Sequence, residues 1–243
     1  MLVAAAVCPA PPLLVPEVAA GAAAELAAAR TACSDALAVL AASRPDLLVV
    51  VGAADPDHQG PYPQGSRGSF RGFGAETGVH LGEPGPVQLG EGEEGPRLLP
   101  APLAVGAWLL HHARWGSAPV EGFGAGEALE TARCLEAGRE LAARADRVAL
   151  LVMGDGSACR SLKAPGYLDD RAAAFDAAAA RALGSADTAA LAALEPVLAH
   201  ELKAAGRAPW QVLAGAAEGA GLGGRLLYED APYGVGYFVA TWS

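Results

Sequence analysis

The sequence predicts an α/β protein, a single-domain three-layer α/β/α fold with a largely parallel central sheet and a C-terminal strand pair. Apolar runs without alternation, such as Leu2–Val7, Asp46–Val51 and Val148–Met153, are separated by alanine-rich helical stretches. Strands covered on both faces have continuous apolar sequences, as in βαβ units. The chain has 243 residues and no recognisable linker, so we expect one domain spanning residues 1–243.

Composition excludes several classes of protein. A hydrophobic fraction of 52% with 18% charged residues argues against disorder. A net charge of −10 without a basic stripe argues against nucleic-acid binding. No apolar run is long enough to cross a membrane, and the prolines after Met1–Cys8 favour a buried strand over a signal peptide. Four scattered cysteines favour reduced thiols, so we predict a cytoplasmic protein.

The first half of the chain alternates strands and helices before a long polar stretch. Leu2–Val7 predicts the first strand, Pro16–Leu40 an alanine-rich helix, and Asp46–Val51 the second strand. From about Gly52 to Pro100 the chain is rich in Gly, Pro and polar residues, which is typical of long functional or lid-like loops. Weak strand signals inside this stretch occur at Gly78–Leu81 and Pro86–Leu89.

The second half resumes the alternation. Its predicted elements are a helix at Leu103–Ala113, a strand at Val120–Phe123, a helix at Ala128–Ala145, a strand at Val148–Met153, helices at Asp170–Leu183, Ala186–Leu194, Glu195–Ala205 and Pro209–Ala220, and strands at Arg225–Glu229 and Val235–Thr241. Ser185 is a predicted N-cap, while Pro209 and Gly221 suit the start and the stop of the last helix.

The ends of the predicted strands indicate where a site should lie. In open α/β sheets, ligands bind at the carboxyl ends of the strands. Three polar or Gly-rich segments follow strands here, at Cys8–Pro12, Gly52–His58 and Gly154–Arg160. Glu229 precedes a Pro/Gly turn between two strand-like runs, and it joins these segments if its strand enters the same sheet.

Four segments, taken together and in order, give the chain a likeness to a known family. They are residues 8–17 (CPAPPLLVPE), 50–56 (VVGAADP), 153–157 (MGDGS) and 228–237 (YEDAPYGVGY). With them the chain resembles, nearly end to end, the catalytic subunit-B superfamily of class III extradiol ring-cleavage dioxygenases. The resemblance implies Fe(II) held by two histidines and a glutamate, with open positions for a catecholate and O₂, and further histidines for acid/base chemistry.

The histidines that this resemblance implies are absent. Alanine stands at the expected ligand positions, Ala10 and Ala54, and near the expected acid/base positions, at Ala101 and Ala158. Only Glu229 remains, and one carboxylate cannot retain Fe(II) against water. We therefore expect a degenerate protein with no bound cofactor, no assigned catalytic residue and a retained pocket for a small molecule or a partner. The pocket residues are Cys8, Ala10, Ala54, Asp55, Asp155, Ser157 and Glu229.

Two other hypotheses stay open. The first is an active oxidoreductase or other metalloenzyme with a rearranged Fe(II) or Zn(II) site at Cys8, Asp55, His58 and Glu229. Each of these residues also has an ordinary role, such as a buried thiol at a strand end or a turn aspartate before proline. The second is a structural or interaction role, for example as a homodimer formed through the alanine-rich helices.

The remaining polar groups have structural interpretations beside functional ones. His111 and His112 end a predicted helix, where imidazole interacts favourably with the last carbonyls. Cys159 beside Arg160 is a candidate activated thiol. The polar cluster that follows the central strand caps the loop or recognises an anion. This cluster consists of Asp155, Ser157, Arg160 and Lys163.

Overall fold

The computed structural model describes residues 1–83 and 97–243. Its strands are β1 Leu2–Cys8, β2 Leu47–Ala54, β3 Gly60–Tyr62, β4 Arg67–Ser69, β5 Gly78–His80, β6 Val120–Gly126, β7 Val148–Met153, β8 Gly224–Asp230 and β9 Tyr237–Trp242. Its α-helices are α1 Pro16–Ala19, α2 Ala27–Ala42, α3 Ala101–His112, α4 Thr131–Ala142, α5 Ala172–Ser185, α6 Thr188–Ala192, α7 Pro196–Glu201 and α8 Arg207–Ala216. The strand predicted at Pro86–Leu89 lies outside the described residues.

A seven-stranded sheet forms the middle layer, in the order β3-β6-β2-β7-β1-β9-β8. Strands β6, β2, β7 and β1 run parallel to one another. Strand β3 runs antiparallel at one edge, and the antiparallel pair β8 and β9 closes the other. The predicted α/β fold with a largely parallel sheet and a C-terminal strand pair is confirmed.

Helices cover the sheet on both faces. Helices α2 and α3 bury Cys33, Leu40 and Leu103 in one core, on what we call the α2/α3 face. Helices α4, α5 and α8 contribute to the other core, which includes Phe175 and Trp210, on the α5/α8 face. Strands β2 and β7 are buried at every residue, which explains their uninterrupted apolar sequences.

Two expectations about the helices are wrong. The helix predicted at Pro16–Leu40 is divided, because a 3-10 segment at Ala20–Leu26 separates α1 from α2. Ala20 has a φ of 47°, outside the right-handed α region, and so it ends α1. Ser185 is the last residue of α5, and its hydroxyl donates to the Arg181 carbonyl at 2.8 Å. Asp187 is the N-cap of α6 instead, accepting from the Ala190 N–H at 2.9 Å.

The region predicted as long loops contains short strands. β3 extends the main sheet beside β6, while β4 and β5 form a separate two-stranded sheet. The predicted strand signal at Gly78–Leu81 corresponds to β5. Among the helices in residues 1–83 and 97–243, none has the length and apolar character that crossing a membrane requires.

Candidate functional site

The carboxyl ends of β1 and β7 lie side by side, and the chain leaves them toward opposite faces of the sheet. Cys8 at the end of β1 pairs with Met153 at the end of β7. The chain then passes from β1 to α2 on the α2/α3 face, and from β7 to α5 on the α5/α8 face. Adjacent parallel strands with diverging connections leave a crevice where ligands bind in open α/β sheets.

Asp155 and Ala10 bridge this crevice. The Ala10 N–H donates to Asp155 Oδ1 at 2.7 Å, and the Gly154 N–H donates to the Cys8 carbonyl at 3.0 Å. The Asp155 side chain is half-buried. In the described part of the chain, Asp155 Oδ2 accepts no hydrogen bond and forms no ion pair. The site therefore contains a recessed carboxyl group with one uncommitted oxygen.

The environment of Asp155 favours its neutral form. Burial raises its pKa to about 7, and the hydrogen bond from Ala10 opposes that rise only in part. The carboxyl nevertheless keeps some contact with solvent. A desolvated carboxyl that lacks a countercharge and remains accessible is typical of a functional site.

Three of the five tyrosines belong to the β8–β9 hairpin, and one of them, Tyr237, lies close to Asp155. Tyr237 is 2% exposed, and its pKa is raised by burial and by the nearby Asp155, Tyr233 and Tyr228. Tyr228 and Tyr233 pack against the core on the α2/α3 face. Their hydroxyls donate to carboxylates at the rim, Tyr228 to Asp230 at 3.4 Å and Tyr233 to Glu25 at 2.9 Å. The hairpin beside Asp155 is thus aromatic, and its outer tyrosines are bonded to carboxylates.

A second buried carboxyl, Asp176 on α5, organises the other side of the loop after β7. It is 0% exposed and accepts from the Ser157 N–H at 2.7 Å, the Ser157 hydroxyl at 2.8 Å and the Arg160 guanidinium at 3.0 Å. Gly236 approaches so closely that a Cβ there would lie 2.5 Å from Asp176 Oδ2. Ser157 was predicted in the pocket with Asp155, but its side chain instead ties the loop to α5. For Ser157 and Arg160 the loop-capping interpretation holds.

Glu229 is not placed with Asp155, contrary to the expectation from sequence. It is exposed on the edge strand β8 and pairs with Phe238, whose ring packs in the α5/α8 core. Directly opposed residues in a sheet share a face. The register of β8 shifts between Leu226 and Tyr228, and such a bulge reverses the faces of the residues that follow. Glu229 is therefore directed to the face opposite Tyr237.

The other predicted pocket residues divide into two groups. Cys8 and Ala10 are buried on the α2/α3 face, and the Cys8 thiol contacts the Cys33 thiol on α2. Ala54 lies on the same face, because it follows Val50 and Gly52 at two-residue spacing in β2. Asp55 is exposed beyond the end of β2.

The rearranged metal site suggested by sequence is not assembled. His58 lies half-buried in the 3-10 turn Pro56–His58, while Glu229 faces the other side of the sheet. Across residues 1–83 and 97–243, no three His, Cys, Asp or Glu side chains are grouped as metal ligands would be. The set Cys8, Asp55, His58 and Glu229 is thus not brought together by the fold.

The remaining candidates have structural surroundings. His111 and His112 end α3 as predicted, and His112 stacks on Trp108 with ring centroids 5.1 Å apart. Cys159 is 2% exposed, and desolvation raises the pKa of its thiol. This shift is opposite to the one that activates a thiol, so the candidate role of Cys159 as an activated nucleophile is not supported.

The residues missed from sequence are Asp176 and the three hairpin tyrosines. Asp176 had a visible signal, because it is the one acidic residue inside the apolar stretch Ala172–Ala180 of α5. Tyr228, Tyr233 and Tyr237 lay in the segment used for the family resemblance, and their clustering was itself informative. No sequence pattern linked them to Asp155, which is far away in the chain.

By class, the chain is a three-layer α/β/α domain in which Ala10 and Asp155 meet at the carboxyl ends of adjacent parallel strands. It is similar in fold to the crystal structure of uncharacterized protein JW3007 from Escherichia coli K12, with a TM-score of 0.58 and 16% sequence identity. The alignment covers 99% of this chain and 100% of that one. No protein-family profile matches the sequence, and no curated protein matches it significantly. The likeness shows the fold alone.

Proposed function

We propose that the protein is a degenerate relative of the class III extradiol dioxygenases that binds a small organic amine at Asp155 and does not cleave aromatic rings. The observation that carries the proposal is the hydrogen bond from the Ala10 N–H to Asp155 Oδ1 across the crevice. Ala10 stands where the resemblance implies a histidine ligand. A carboxyl with an uncommitted oxygen lies beside that position instead.

The chemistry of the crevice favours a cationic ligand. An ammonium group that donates to Asp155 Oδ2 would supply the countercharge that the carboxyl lacks. Tyrosine rings attract cations through their faces, and Tyr237 lies near Asp155, with Tyr228 and Tyr233 next to Tyr237. Glu25 and Asp230 at the rim, together with a net charge of −10, attract a cation over longer distances.

The residues present do not fit the iron centre that the resemblance implies. A facial triad needs two imidazoles and a carboxylate directed at one metal ion. Here methyl groups occupy positions 10 and 54, and Glu229 lies on the opposite face of the sheet. We expect protein loaded anaerobically with Fe(II) and then desalted to retain much less than one equivalent of metal. Stoichiometric tight iron together with turnover of a catechol would overturn this part of the proposal.

Binding is tested with two probes of the same shape, phenethylammonium and 2-phenylethanol, measured by saturation-transfer NMR and calorimetry on the full chain. We expect the ammonium to bind, and Asp155→Asn to weaken its binding about tenfold or more, which is about 1.4 kcal/mol. Glu229→Gln is the matched control, because its carboxylate lies on the other face. Equal weakening by both variants, or binding of neither probe, would refute the proposed site.

A further inference from the structure

A second cavity lies on the α5/α8 side, between the loop after β6 and the turn that joins α7 to α8. It has a volume of about 300 Å³. This volume is at the small end of the range for small-molecule pockets. Its walls are formed by Glu127, Ala199, His200, Lys203, Ala204, Ala205 and Arg207. None of these residues contributes a side chain to the crevice at Asp155.

Arg207 places a buried positive charge in the wall of this cavity. The side chain is 3% exposed, and its guanidinium donates to the carbonyl oxygens of Leu129 and Glu127, to Gln211 Oε1 and to Cys134 Sγ. All four acceptors are neutral. Among the ion pairs in the described residues, none involves Arg207. A buried cation whose hydrogen-bond acceptors are all neutral is stabilised further when an anion comes into contact with it.

Lys203 adds a second cation at the mouth. It is exposed, and it lies in the turn between α7 and α8 with a left-handed φ of 53°. The chain has only one other lysine, Lys163. In a protein with a net charge of −10, two cations on one small cavity are a local reversal of sign.

The remaining wall residues limit what the cavity accepts. Glu127 offsets one of the two positive charges, so the wall carries one net positive charge when His200 is neutral. A monoanion neutralises that balance, whereas a dianion such as hydrogen phosphate would leave one uncompensated negative charge in the cavity. Ala199, Ala204 and Ala205 supply methyl groups rather than further polar partners.

We infer that this cavity binds a short aliphatic carboxylic acid as its carboxylate. The carboxylate lies between Lys203 and the edge of the Arg207 guanidinium, and the aliphatic part packs on the alanine methyl groups. The carboxylate then becomes the anionic neighbour of Arg207, while Arg207 keeps its bonds to the backbone.

The inference is tested by titrating the full chain with butyrate, butyramide and inorganic phosphate while recording backbone amide shifts by NMR. Butyrate should give saturable shifts at residues 199–207, and the uncharged butyramide should not. Equal response to butyramide, tighter binding of phosphate, or no saturation by butyrate would overturn the inference.

Variants separate a real site from a general charge effect. Lys203→Gly removes the amine and suits the left-handed backbone, so it should weaken butyrate binding about tenfold without loss of fold. Lys163→Ala is the matched control and should leave binding unchanged. Glu127→Gln should strengthen binding several-fold, because it removes the opposing charge from the wall. An unchanged affinity in Lys203→Gly or a weaker one in Glu127→Gln would also contradict the site.

Discussion

Asp155 and Asp176 lie on either side of one loop, yet their surroundings are opposite. Asp176 is sealed from solvent and accepts bonds from Ser157 and Arg160, so its charge is compensated. Among residues 1–83 and 97–243, Asp155 has one backbone donor and no ion-pair partner, and burial raises its pKa to about 7. A satisfied buried carboxylate fixes the structure around it, whereas an unsatisfied one costs stability and remains available to a ligand.

The largest expected effect is at Asp176. Replacement by alanine leaves the Arg160 charge and the Ser157 donors without their acceptor, and we expect the free energy of unfolding to fall by about 3–5 kcal/mol. Urea denaturation at neutral pH measures this change. Asp55→Ala, at an exposed position, is the control and should change stability by less than about 0.5 kcal/mol. A fall of less than about 1 kcal/mol in the free energy of unfolding of Asp176→Ala would contradict this structural role.

The close approach of backbone to Asp176 gives the second effect. A methyl group at Gly236 would lie 2.5 Å from Asp176 Oδ2 and 2.9 Å from its Cγ, so Gly236→Ala should destabilise the protein by about 2–3 kcal/mol through overpacking. Gly21→Ala has open space around the new methyl group and should be nearly neutral. Thermal unfolding of both variants checks the contrast, and equal melting temperatures would contradict it.

The smallest effect is at Asp155, and it depends on pH. Because its pKa in the folded protein is raised from 3.8 to about 7, the folded state binds the proton more tightly than the unfolded state does. The resulting stabilisation is fully present below about pH 4 and is lost as pH rises through about 7. Between about pH 4 and pH 7, the free energy of unfolding of the wild type should fall by roughly 2 kcal/mol relative to that of Asp155→Asn. This figure is smaller than the full pKa shift implies, because the carboxyl is partly exposed. A difference in unfolding free energy between the wild type and Asp155→Asn that stays constant with pH would show that Asp155 is not desolvated.

Much of the fold could be predicted because buried strands leave a simple pattern. β7 is found at its predicted bounds, Val148–Met153, and β2 lies close to its prediction, since both are apolar throughout. β3 and β4 span three residues each, too few for any period to show. The break at Ala20 was hidden because alanine favours a helix locally and only the surrounding structure imposes its positive φ.

The site was predicted less well, for reasons that are geometric. The predicted strands placed Cys8, Ala10 and Asp155 together at the carboxyl ends of the sheet. The hydrogen bond between Ala10 and Asp155 confirms that these two residues meet. Glu229 was expected at the same place because its strand was predicted to enter the same sheet and because the resemblance implies a glutamate ligand there. The bulge after Leu226 turns it to the other face. A one-residue irregularity leaves almost no trace in sequence and reverses every side chain beyond it.

The antiparallel pairing of β1 with β9 also sets the order in which the crevice can form during synthesis. Ala5 pairs with Trp242, and Tyr237 begins the strand that makes this contact. A nascent chain that has already folded α2, β2 and β7 still lacks Tyr237, which lies near Asp155. Since contacts of such long sequence separation form slowly, binding competence should appear only after β9 has left the ribosome, as a late and separable event.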